Sequence, residues 1–134
     1  MLGFAFGVRY GAPFGHRGFT HSALFAAGLA ALLVPFLPVP PAQRPAAFFF
    51  LFLSTLSHPL LDALTDGGLG VALLWPFEER RYFFPWRPLA VPSIGVQAFF
   101  TGRAWPVLKS ELLWVWAPGA IVYVLGKLAR LLLR

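Results

Sequence analysis

Three apolar stretches, separated by proline- and glycine-rich connectors, set out the chain. Residues 23–37 (ALFAAGLAALLVPFL) hold no charge. With Thr20 as N-cap, a first helix of about 17 residues is predicted, at the short limit for crossing a bilayer core. The connector 38–45 (PVPPAQRP) has four Pro in eight residues, which excludes helix and predicts a tight turn outside the membrane. Residues 46–65 form a second apolar segment, opening AAFFFLFL and turning polar in its last two turns. Pro59 lies within it, so the helix either kinks there or ends and restarts with Pro59 in its first turn. Gly67-Gly68 is the expected stop. Glu111–Leu133 is the third predicted span, with a kink at Pro118-Gly119 and Lys127 and Arg130 snorkelling from its end. Residues 1–15 show no helical period and read as a loop. Residues 70–77 are too short to span. Residues 78–110 mix Trp, Tyr, Arg and Pro in the manner of the headgroup region, and are expected to lie on the membrane as a lid or re-entrant segment.

Composition narrows the class. The 134 residues leave room for one domain, taken as 1–134. With 58% hydrophobic and 12% charged residues, a soluble domain of this size has too little interior to hide its apolar surface. The expected fold class is therefore all-α, a membrane-embedded helical bundle with about three spanning helices and an interfacial aromatic and Pro-rich segment. There is no cysteine, which excludes a disulfide framework and a thiolate metal site. The net charge of +6 fits juxtamembrane Arg and Lys facing anionic lipid. The cations stand singly, Arg80-Arg81 being the only adjacent pair, so no nucleic-acid partner is expected. Membrane lipid is the expected partner.

All three histidines and two of the five acidic residues fall in two short stretches, 16–22 (HRGFTHS) and 57–66 (SHPLLDALTD). At about 100° per residue, His58, Asp62 and Asp66 fall at roughly 0°, 40° and 80° on a helix, a single stripe. Imidazole nitrogen and carboxylate oxygen one turn apart can hold a divalent metal. His16 and His21, five apart, can face one metal together only if His16 sits in the loop before the helix. Counting crossings brings the two stretches together: helix one leaves the side that bears His16 and His21, and helix two returns to it with His58 and Asp62. One site for Zn²⁺ or Mn²⁺ is therefore expected. Asp66 is the candidate general base or orienter of a histidine, and Arg17 the candidate holder of an anionic oxygen. The bland alternative is a structural salt bridge from Arg17 to Asp66. A non-catalytic scaffold or transport helper, and a bis-histidine haem protein, are the competing functions.

These stretches, with Leu74-Trp75-Pro76-Phe77 and the run from Arg81 to Trp86, resemble the bacterial inner-membrane, metal-dependent hydrolase family, also described as the LexA-binding, inner-membrane-associated hydrolase group. The resemblance covers nearly the whole chain. It implies a metal-activated water acting on a phosphoester or lipid-borne bond of a small-molecule or lipid substrate, and His16, His21, His58 and Asp62 as metal ligands. Family members usually carry an extra N-terminal helix ending in an acidic Pro-Asp-x-Asp-type segment, whereas the first acidic residue here is Asp62. The expectation is that Met1 is an internal GTG codon, Val in the full protein, with the true start upstream. The histidine side carries Arg9, Arg17, Arg80, Arg81, Arg87, Arg103 and Lys109, against Arg44, Lys127, Arg130 and Arg134 opposite. That excess predicts a cytoplasmic site in the inner membrane.

Overall fold

The computed structural model describes residues 7–9, 11–91, 97 and 99–133. The expected loop at 1–6 and 10, the Met1 expectation, and residues 92–96 and 98 of the 78–110 segment lie outside them. Among the described residues there are four α-helices and no strand: α1 (Ala23–Leu33), α2 (Arg44–Ala63), α3 (Ala104–Glu111) and α4 (Ala117–Leu132). They divide between two compact units, one within Met1–Leu64 and Gly68–Pro85, the other within Thr65–Gly67 and Trp86–Arg134.

In the first unit, α1 starts two residues later than Thr20 as N-cap would place it. Ser22 is the N-cap, its Oγ accepting the Phe25 N–H at 3.1 Å. Thr20 instead belongs to a 3-10 turn, Phe19–His21, that leads into the cap. At the far end Pro35 cannot donate to the helix ladder, and α1 tightens into a 3-10 turn over Val34–Phe36. Ala26, Ala30 and Val34 are buried at i, i+4, i+8, a small-residue stripe that lets the α1 and α2 backbones approach closely. A third 3-10 turn, Pro41–Gln43, starts the return helix. α2 then runs unbroken through Pro59 to Ala63, so the structure selects continuation over a restart.

The remainder of this unit, residues 68–85, is irregular backbone held by pairing. Val71 and Tyr82 exchange both main-chain bonds at 2.9 Å, Ala72 N–H donates to the Arg17 carbonyl at 3.0 Å, and Ala23 N–H to the Leu73 carbonyl at 2.9 Å. Phe84 N–H reaches back to the Ala63 carbonyl at 2.9 Å and satisfies an acceptor at the α2 terminus. Phe14, Phe19, Phe25 and Trp75 stack edge to face, with ring centres 5.1–6.0 Å apart. This cluster pins the loop before α1 onto the 68–85 segment.

In the second unit α3 and α4 form one continuous helical rod, Ala104–Leu132, of 29 residues. It begins a full two turns before the predicted Glu111. Each of two π-helical turns, Phe99–Arg103 and Leu112–Trp116, precedes a proline, Pro106 and Pro118. A proline ring collides with the carbonyl four residues back, and widening the preceding turn by one residue relieves that collision. The Pro118 irregularity therefore takes the form of a π turn. Trp86 packs edge-on to Trp114 at 4.7 Å between ring centres, and Ser110 Oγ accepts the Ala90 N–H at 3.0 Å.

Two helices are long and apolar enough to cross a membrane, Pro41–Ala63 (23 residues) and Ala104–Leu132 (29 residues), and Ala23–Phe36 is a shorter apolar helix. At 1.5 Å per residue these rise about 35, 43 and 21 Å, against a hydrocarbon core of about 30 Å. Ile121, Val122, Leu125, Leu131 and Leu132 are all exposed on α4. In water such a surface would be covered, whereas lipid is its natural solvent.

Candidate metal centre

The first unit joins the N-terminal approach to α1 with the C-terminal turns of α2, and the histidine stretches meet there. His21 sits in the 3-10 turn before Ser22, while His58 and Asp62 lie one turn apart on α2. The Nε2 atoms of His21 and His58 are 3.2 Å apart, with ring centres at 4.9 Å. Asp62 Oδ2 lies 3.3 Å from His21 Nε2 and 4.0 Å from His58 Nε2. Among the described residues these three form the group able to hold a metal ion. Two zinc ligands at roughly 2.0–2.1 Å and tetrahedral angles are separated by about 3.3 Å. The observed spacings of 3.2, 3.3 and 4.0 Å fit three corners of such a tetrahedron with little adjustment.

The surroundings orient the donors. His21 Nδ1 lies 3.1 Å from Thr20 Oγ1, so with Nδ1 protonated toward that hydroxyl the lone pair is on Nε2. Arg17 pairs with Asp62 from behind: Nη2 donates to Oδ1 at 3.4 Å, and Nε lies 3.1 Å from Oδ2 as an ion pair. The Arg17 side chain is only 3% exposed and Asp62 19%, whereas His58 is 68% exposed, so the group opens on the His58 side. Arg17 has φ +57°, in the left-handed region that a bulky side chain rarely adopts. His16 stands beside His21 with ring centres 6.1 Å apart. Burial, and then the Arg17 charge, hold the His16 imidazole below its ordinary pKa of 6.5, keeping it neutral at physiological pH.

One sequence expectation is corrected. α2 ends at Ala63, so the helical stripe of His58 and Asp62 does not continue to Asp66. Asp66 lies past the helix end in the second unit, where its N–H donates to the Leu89 carbonyl at 2.9 Å and its Oδ1 accepts the Val91 N–H at 2.8 Å. Arg17 makes a salt bridge with Asp62. Arg81, whose guanidinium reaches five main-chain carbonyls around the Arg17 loop, was missed. Its sequence signal was slight: half of the one adjacent cation pair, read as interfacial charge.

The family model described as YdjM inner membrane protein matches residues 1–132. The chain belongs to the YdjM inner membrane protein family. Inner membrane protein YbcI of Escherichia coli (strain K12) is 43% identical over 128 residues, covering 91% of this chain and 71% of that protein. Inner membrane protein YdjM of the same strain, and its namesake in Shigella flexneri, are each 42% identical over 90 residues. Those matches cover 63% of this chain and 40% of each relative. No solved structure matches. The family assignment agrees with the apolar helices and with an inner-membrane setting.

Proposed function

We propose that this chain is a membrane-bound metal-dependent hydrolase that holds Zn²⁺ or Mn²⁺ on His21, His58 and Asp62. His16 joins them as a further ligand, and the substrate is a phosphoester or lipid-borne bond. The observation that carries this reading is the convergence of two imidazole nitrogens and a carboxylate oxygen within 3.2–4.0 Å from segments 37 residues apart in the chain. Two imidazoles brought so close, with a carboxylate beside them, suit a shared cation.

A cation bound there supplies Lewis acidity, lowering the pKa of water and polarising a phosphoryl or carbonyl oxygen. The protein's part is positioning. His58, on the open side, faces the entering substrate. Arg17, buried behind Asp62, fixes that carboxylate's rotamer. The reading therefore gives Arg17 a carboxylate to hold instead of a substrate oxygen. An apolar cavity of about 170 Å³, lined by Pro59, Leu60, Ala63, Val71, Leu73 and Phe84 among others, backs onto the same helix end. Pro59 and Ala63 directly follow His58 and Asp62, so this cavity supports a lipid-borne substrate. The cation excess on the histidine side favours a multi-pass topology with a cytoplasmic site.

The test is metal content of the detergent-purified chain, measured alongside hydrolysis of bis-(p-nitrophenyl) phosphate, p-nitrophenyl phosphate and glycerophospholipid. About one Zn or Mn per chain, with metal-dependent turnover of one of these substrates, is expected. A metal-free chain that turns over none of them would favour a non-catalytic scaffold or transport helper.

A further inference from the structure

Resting on the metal-site reading, we propose that Arg81 is a positioning residue for this centre, holding the His16–Arg17 main chain and, through it, the Arg17–Asp62 pair. Nη1 of Arg81 donates to the carbonyls of His16 (3.2 Å), Arg17 (3.3 Å) and Gly70 (3.4 Å). Nη2 donates to those of Gly11 (3.1 Å) and Ala12 (3.3 Å). All five acceptors are main-chain oxygens, so Arg81 acts through the backbone and touches no candidate ligand atom.

The reason this matters is the conformation it braces. Arg17 at φ +57° is held where a non-glycine residue is strained, and such a residue persists only when its surroundings over-determine it. Its carbonyl is fixed twice, by the Ala72 N–H at 3.0 Å and by Arg81. Relaxing Arg17 to ordinary right-handed or extended backbone would rotate its side chain away from Asp62 and move the neighbouring His16. The Gly11-Ala12 and His16-Arg17 turns are bridged from one planar group. That demands the fork of a guanidinium, since an ammonium is a point donor and cannot span both.

Arg81→Lys and Arg81→Ala test this in the detergent-purified full chain, with Arg80→Ala as control, since Arg80 is exposed and stacks over Tyr82. Zn²⁺ affinity is read by competition with a chromophoric chelator, and ligand geometry by the visible spectrum of the Co²⁺-substituted protein. Both Arg81 variants are expected to lose about 10- to 100-fold in affinity, the range for residues that orient ligands from outside the coordination sphere, with a changed Co²⁺ band. Added methylguanidinium restores part of the loss in Arg81→Ala and none in Arg81→Lys. Wild-type affinity and an unchanged Co²⁺ spectrum in Arg81→Lys would overturn the proposal, and this variant carries the test if Arg81→Ala does not fold. Should the wild type itself take up no metal, the hydrolase reading fails, and the positioning role is read from amide hydrogen exchange. Faster exchange at Ala72 and Phe19 in Arg81→Lys then sustains it, and unchanged exchange overturns it.

Discussion

His58→Ala isolates the chemistry from the fold. The His58 side chain is 68% exposed, and its polar neighbours are the other members of the candidate group, His21 and Asp62. Exposed substitutions away from packing change stability by about 0.5 kcal/mol or less, so the metal-free variant should unfold as the wild type does. Metal binding should respond quite differently. Structural zinc sites bind with roughly 10–16 kcal/mol over four ligands, about 2.5–4 kcal/mol each, so one lost imidazole lowers affinity about 10²- to 10³-fold. A cation at a hundred times its dissociation constant stabilises the folded protein by about 2.7 kcal/mol. The wild type should therefore gain thermal stability on adding Zn²⁺, and His58→Ala should gain almost none at the same concentration. Chelator competition and thermal unfolding in detergent, each with and without metal, read both effects. A variant that keeps wild-type affinity and the full metal-induced stabilisation would refute the assignment of His58 as a ligand.

Asp62→Asn keeps the shape but leaves the buried Arg17 guanidinium facing a neutral amide. Breaking a buried pair from one side costs about 3–5 kcal/mol, here toward the low end because Asp62 is 19% exposed. Denaturation of the metal-free chain should show Arg17→Met with Asp62→Leu to be milder than Asp62→Asn alone. Because His16 is held below its ordinary pKa, the unfolded chain binds its proton first as pH falls. The metal-free protein should lose stability as pH drops through about 6.5, and His16→Gln should flatten that slope in a pH series of unfolding midpoints. Ser22→Ala removes the α1 cap and should cost about 1 kcal/mol, with no effect on the metal spectrum. Gly18→Ala places a Cβ against the Pro13 carbonyl, inside the turn that carries His16 and His21. It should lower metal affinity while α2 keeps its helical signal in circular dichroism.

Much of this protein was determined by its sequence. Uncharged runs of helical length in a chain with 58% hydrophobic residues can be soluble nowhere but lipid, and the four prolines of 38–45 force the chain to turn between two of them. A hairpin follows, and with it the meeting of a histidine motif ahead of α1 with another at the end of α2. Spacing also gave the His58–Asp62 stripe, because i and i+4 share a face on any helix.

Only the tertiary structure decided where that stripe stops and what completes it. Asp66 has the spacing to continue the face, yet α2 ends at Ala63, where Phe84 N–H takes up the Ala63 carbonyl. Asp66 then turns to main-chain partners from residues 89 and 91. Pairing of Arg17 with Asp62, and the grip of Arg81 on five distant carbonyls, join residues 45 and up to 70 positions apart. No local pattern records such contacts, because they depend on how the irregular segment 68–85 folds back over the helix ends. Its course is set by backbone pairing and aromatic packing, neither of which leaves a period in the sequence.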